Sequence, residues 1–117
     1  MMVDVNNGGE LDAKMILKYF RHLVNRFFKI LPIREENEPT LCEYMASLQS
    51  ELIGCSALIA ALNNDPIFLS LISTLQYFID NPDEPVEKYK REVFRCISSC
   101  NCLKSKYYEL YVKAVKQ

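Results

Sequence analysis

Five cysteines, one histidine and a set of clustered carboxylates are the residues of this chain whose types could do chemistry, and their spacing decides how much. Cys96, Cys100 and Cys102 lie within seven positions, but zinc asks for four ligands, usually as paired short spacings of Cys or His, and the single histidine is His22, far back in the sequence. Cys55, Cys96 and Cys100 fall on apolar helical positions, where a free thiol behaves as a small hydrophobe. Cys102 falls off that pattern with Lys106 one turn on, which makes it the candidate reactive thiol. His22 stands between Lys18 and Arg26, one turn to either side, and reads as an ordinary surface residue. A Cys/His nucleophile pair would need His22 beside Cys102, and nothing in the spacing brings them together. No nucleophile elbow, glycine-rich phosphate loop or calcium loop is present. Glu35, Glu36, Glu38 and Glu43 surround a linker and a helix start rather than facing each other from two helices. These readings exclude a metal site and a cofactor site, and they point to a protein that is not an enzyme.

The elements that would carry these residues are helical. A chain of 117 residues, half of them hydrophobic and only three of them Gly, is one globular domain rich in helix. The odd cysteine count and the polar, acidic start MMVDVNNGGE, which lacks an export pattern, predict reduced thiols and a cytosolic setting. Residues 1–10 carry no periodicity and are expected to be a flexible N-terminal tail, with residues 11–117 forming a single helical-bundle domain.

From Asp12, read as an N-cap, Ala13, Ile16, Phe20, Leu23, Phe27 and Ile30 alternate steps of three and four, which predicts a first helix ended by Pro32. Thr40-Leu41-Cys42-Glu43 has the form of a capping box and opens a second helix through Leu62. Gly54 inside it, among several Ala and Ser, predicts close approach of another helix. Asn63-Asn64-Asp65-Pro66 combines a stop with a new start. The third segment, Pro66 to Ile79, has no charge and apolar residues in almost every helical direction, so it is expected to be buried at the centre; at about 21 Å it is too short to span a bilayer. After Asp80-Asn81-Pro82-Asp83-Glu84-Pro85, Val86, Tyr89, Val93, Cys96, Cys100, Leu103, Tyr107, Leu110 and Ala114 give a fourth helix of about 31 residues, twice the length of the third. The fold class is therefore all-α, a four-helix bundle with a buried uncharged third helix and a long fourth one. The second half of the fourth helix needs a partner surface, either the first two helices, a second copy in a homodimer, or a bend at Ser98-Ser99 and Asn101.

The net charge of −1 hides a segregation: residues 1–34 sum to +3, residues 35–87 to −10 with no Lys or Arg, and residues 88–117 to +6. Opposite signs on outer helices attract one another within a bundle, and they also offer docking surfaces. The acidic surface, Glu35, Glu36, Glu38 and Glu43, is the candidate partner-binding site for a protein. The alternative is a nucleic-acid surface on the first and fourth helices, with Lys14, Lys18, Arg21 and Lys29 on one and Lys104, Lys106, Tyr108 and Tyr111 on the other, where cations track phosphates and tyrosines stack on bases.

The stretches LPIREENEPTLCEYMASLQSELIGC and PVEKYKREVFRCISSCNCLKSKY resemble small helical proteins carried by phages and mobile elements of clostridia and related bacteria. The resemblance spans Leu31 to Tyr107 and brings no catalytic residue. It implies a bacterial cytosolic setting and an accessory role, such as antagonising a host defence or assisting assembly, performed through protein binding.

Overall fold

A computed structural model describes residues 9–58 and 60–116, with side chains at 15, 17–56 and 62–109. All regular structure among them is helical: α1 (Gly9–Phe28), α2 (Ile30–Glu35), α3 (Leu41–Leu58), α4 (Ala60–Asn63), α5 (Pro66–Asp80) and α6 (Val86–Lys116). The tail expected over residues 1–10 lies outside the described residues up to position 8. Helix α1 starts one turn before Asp12, which places that residue in the first turn rather than at the cap.

Pro32 acts earlier than the sequence pattern implies. Its missing N–H and its ring exclude a helical bond to the carbonyl four residues back, that of Phe28, and α1 ends at Phe28. Beyond the turn at Lys29, Pro32 is accommodated in the first turn of α2, where no N–H is needed. Helix α2 closes with a Schellman motif: Asn37 adopts a left-handed φ of 53°, its N–H donates to the Arg34 carbonyl at 3.1 Å, and Glu38 N–H donates to the Ile33 carbonyl at 3.1 Å. The capping box expected at Thr40 is not formed. Thr40 opens α3 through its carbonyl, which accepts from Tyr44 N–H at 2.8 Å, while both Thr40 and Glu43 are exposed and water can satisfy the first-turn N–H groups instead.

Helix α6 runs uninterrupted through Ser98, Ser99 and Asn101 for 31 residues, about 46 Å. Its long second half is covered by α1, which lies antiparallel to it: Phe20 stacks on Tyr107 with ring centroids 5.8 Å apart, and Phe28 meets Phe94 edge to face at 5.7 Å. Helix α5 also lies antiparallel to α6, with Asp65 beside Lys106 at one end and Phe78 stacked on Tyr89 at 4.3 Å at the other. Helix α3 packs on α5, where Gln49 donates to the Ile72 carbonyl at 3.2 Å and to Gln76 at 3.0 Å. The core runs along the length of the molecule through Phe20, Leu23, Phe27, Met45, Leu48, Leu52, Phe68, Leu71, Leu75, Tyr89, Cys100 and Leu103.

The third predicted helix is not enclosed. Only Phe68, Leu71, Leu75 and Phe78 of α5 are buried, one stripe at helical spacing, while Ile67, Leu69 and Tyr77 are 36, 40 and 40% exposed. Serine, threonine and glutamine complete the outer face (Ser70, Ser73, Thr74, Gln76), so absence of charge marked neutral polarity there rather than burial. The most extensive helix contacts among the described residues are those of α6, against α1 above all and also against α2 and α5.

Gly54 likewise faces outward, and a Cβ built on it would meet nothing within 4 Å. It does not mark a close helix approach among the described residues. Gly54→Ala is expected to raise stability by about 0.5–1 kcal/mol, because the site gains helix propensity and loses unfolded-state freedom. The shift of the urea midpoint measures it, and a fall in the midpoint would show that the exposed backbone there carries another constraint.

Candidate functional site

Two links meet at one end of the molecule. Arg34 at the end of α2 donates from Nε and Nη2 to the Glu84 carbonyl at 3.2 and 2.9 Å, donates from Nη1 to Asn37 Oδ1 at 2.9 Å, and lies 5.4 Å from the centre of the Tyr89 ring. These bonds join residues 36–40 to residues 81–85. On this end Glu36, Glu38 and Glu43 are exposed and form no ion pair among the described residues, whereas Glu35 sits 3.8 Å from Lys90 across an exposed gap. An exposed pair of that length contributes at most about 1 kcal/mol and leaves the acidic end largely unneutralised. Tyr77 and Lys88 flank Glu84 on the same side: the Tyr77 hydroxyl donates to its carboxylate, and Lys88 Nζ lies 3.8 Å from it.

The basic candidates separate on the structure. Lys18 and Arg21 on α1 are exposed, without an ion partner among the described residues. The stacking of Phe20 on Tyr107 puts the turn from Lys18 to Arg21 level with the turn of α6 that ends at Tyr108, which is 53% exposed. Lys104, one turn before Tyr108, is half-buried. Lys29 stands in the turn between α1 and α2, towards the other end. Lys106 is not free for a phosphate: its Nζ lies 2.7 Å from Oδ2 of Asp65, so it ties α6 to the start of α5. It is equally unavailable to stabilise a thiolate at Cys102. The side chains of Lys14 and Tyr111 lie outside the described residues.

Three residues outside the sequence-predicted binding surfaces hold the largest polar networks. Asp65 caps α5 by accepting from Ile67 N–H at 2.9 Å and Phe68 N–H at 3.3 Å, and its side chain is only 1% exposed. Burial alone would raise its pKa, but the Lys106 ammonium and the two backbone donors outweigh burial and hold the carboxyl below its usual value. The link motif gave the cap; its long-range cation had no sequence signal. Glu51 on α3 accepts from His22 Nε2 at 2.9 Å and also holds Arg26, so the surroundings of His22 are not only positive. Tyr44 completes this α1–α3 seam, accepting from Arg26 Nε at 3.1 Å and donating to the Arg26 carbonyl at 2.7 Å. Tyr19, beside Cys55 and Glu51, has a buried hydroxyl, and burial raises its pKa far above that of a free phenol.

The thiols follow the packing reading. Burial pushes Cys96 and Cys100 up to about 12 and Cys55 up to about 11, which leaves all three protonated and unreactive at neutral pH. Cys102 is exposed. No cluster of three or more metal-ligating side chains occurs among the described residues, and no described helix is long and apolar enough to cross a membrane. A cleft of about 270 Å³ runs between α5 and α6 along Ser73, Thr74 and Phe78, and the charges on its rim are already matched, Arg95 to Glu92 at 2.7 Å and Lys88 to Glu84. A scan against protein-family models gives no match, and comparisons with curated proteins and with solved structures give none either.

Proposed function

We propose that this protein is a non-enzymatic interaction module, a four-helix bundle in which α1 with α2, α3 with α4, α5 and α6 form four arms that alternate in direction. Its partner is a protein, and it docks through the acidic end. The observation that carries this reading is the exposure of Glu36 and Glu38, on a link held in place by the Schellman turn and the Arg34 bridge, and of Glu43 in the first turn of α3, all without cation partners among the described residues. A preorganised cluster of one sign steers a basic surface and fixes its register at little entropic cost. Together with the resemblance to proteins of clostridial phages, this favours an accessory role in a bacterial cytoplasm, antagonising a host defence or assisting assembly.

Affinity capture from bacterial lysate, with nuclease, is expected to retain a basic protein that is lost when Glu35, Glu36, Glu38 and Glu43 are changed to Lys. These side chains are exposed, so circular dichroism and the thermal midpoint are expected to change little. Unaltered capture by the folded variant would remove this surface from the proposal.

A second reading, nucleic-acid binding, is favoured by the side-by-side placement of α1 and α6, which sets Lys18 and Arg21 at the level of Tyr108 and near Lys104. It is weakened by Lys106, whose charge is spent on Asp65. Nucleic acid recovered without nuclease and released as salt rises would support it.

A further inference from the structure

The helix pairing sorts the charge of the chain onto two sides of the molecule. Residues 35–87, which have no Lys or Arg, supply α3, α4 and α5, and α3 packs on α5. The basic segments supply α1 and α6, which pack on each other. Residues 13–29 contain no Asp or Glu, and residues 88–108 contain only Glu92, which sits 2.7 Å from Arg95. The outer face shared by α1 and α6 is therefore basic along its length, with Glu87 and Glu109 near its ends. Lys18, Arg21, Lys29 and Lys104 on this side have no ion partner among the described residues. We propose that this face binds single-stranded nucleic acid, its cations along the phosphates and its exposed aromatic rings against unstacked bases.

Charge makes the occupant a polyanion, and the side chains between the cations select which one. Phe28, Phe94 and Tyr108, the exposed large apolar side chains of the face, are all aromatic, at 41, 49 and 53% exposure. The exposed aliphatic residues Ile53, Ile67 and Leu69 lie on α3 and α5, and Met15 lies on the line of His22, which faces Glu51 of α3. A lipid surface is met by a continuous apolar stripe, which this face lacks.

Phe94, Asn101 and Tyr108 recur every seven residues and so share one line of α6, with the two rings about 21 Å apart. Arg21 and Phe28 share a line of α1 in the same way, and Phe28 meets Phe94 edge to face at 5.7 Å. Such a pair leaves ring surface open to a third ring. Between Phe94 and Tyr108 stand Asn25, Ser98 and Asn101, exposed, whose amides and hydroxyl can hydrogen-bond base edges. A duplex keeps its bases stacked inside and offers these rings nothing, whereas a single strand presents phosphates and base faces together. The inference rests on the nucleic-acid reading of α1 and α6, to which it adds the strand state and the stacking side chains, and it is independent of the acidic end.

Fluorescence anisotropy of a labelled single-stranded oligonucleotide of about 12 nucleotides, titrated with the full chain, tests this. Half-saturation is expected between about 1 and 100 μM near physiological salt, with affinity falling as salt rises. Phe94→Ala and Tyr108→Ala are each expected to weaken binding about tenfold at unchanged salt slope, with Phe94→Tyr close to the wild type. Arg21→Gln and Lys104→Gln are each expected to lower the salt slope by about 0.7. Circular dichroism checks that every variant keeps its helical signal. Absence of binding at about 100 μM overturns the inference. So does a duplex of the same sequence, or polyglutamate, that competes as well as the unlabelled strand, because the face would then take any polyanion. Salt-dependent binding that ignores the Phe94 and Tyr108 substitutions would keep the broader nucleic-acid reading and overturn this one.

Discussion

Leu75→Ala is expected to cost 2–5 kcal/mol of folding stability, the range for emptying a buried leucine site. Leu75 is 1% exposed and lies on the single buried stripe of α5, with Phe68, Leu71 and Phe78 around it. That stripe is what α5 offers to α3 on one side and to α6 on the other, so a void there loosens both contacts. The loss combines the transfer free energy of the removed methyl groups with a cavity that surrounding helices only partly close. A domain of this size has about 5–15 kcal/mol of total stability, so a large fraction of it would go. Urea unfolding followed by circular dichroism measures the effect as a lower midpoint at unchanged slope. Leu69→Ala supplies the control within the same helix: Leu69 is 40% exposed and its truncation is expected to cost under about 1 kcal/mol. Equal losses for the two variants would mean that α5 does not bury Leu75 in preference to Leu69.

Asp65→Ala is expected to cost about 2–4 kcal/mol, because it removes a helix cap and a charge-assisted hydrogen bond together. Its Oδ1 satisfies two N–H groups at the start of α5, and its Oδ2 holds Lys106 from the far half of α6. Asp65→Asn keeps an accepting oxygen for the cap and loses the ion pair, so it should fall between the wild type and the alanine variant. The folded carboxyl titrates below its unfolded value, so its contribution is fully present above the unfolded value of about 4 and is lost as pH falls through the lower folded one. The stability gap between wild type and Asp65→Asn is therefore expected at pH 7 and should narrow as pH falls below about 4. Chemical denaturation at a series of pH values reads it out, and a gap that widens in acid would contradict the assigned ion pair.

How far the sequence reports this molecule can be judged from particular residues. The apolar spacing in α1 and α6 is regular enough that Phe20, Leu23, Phe27, Tyr89, Val93, Cys96, Cys100, Leu103 and Tyr107 are all buried as their positions imply. The Asn63–Pro66 link signals its cap through a side chain that bonds its own neighbours, so local sequence suffices. For α5, the uncharged run was misleading because Ser, Thr and Gln tolerate water as well as a charged residue does, and hydrophobic count without phase does not locate a buried face. Pro32 was legible as a breaker, but its clash acts on the carbonyl four residues upstream and so displaces the boundary. The partners of Lys106, His22 and Arg34 were not legible, since Asp65, Glu51 and the Glu84 carbonyl reach them across tens of residues and only the packing of helices brings them into range. That is also why Lys106 reads as a free cation in sequence and is a tether in the fold.

The pairing of α1 with α6 joins the earliest helix of this chain to the latest, and it bears on how the protein is made. During synthesis, α3 and α5 can fold against one another soon after they emerge, because only a short link separates them. The apolar stripe of α1 meets α3 only along the Tyr44–Glu51 seam, and its cover from α6 is not available until Tyr107 has left the ribosome, about 80 residues after Phe28. At 5–20 residues per second this interval is roughly 4–16 s, long compared with helix formation or collapse. Through it Phe20, Leu23 and Phe27 remain an open hydrophobic surface on the nascent chain, the kind of segment that general chaperones shield. Truncations that stop short of the second half of α6 should accordingly leave the ribosome with that stripe uncovered and aggregate.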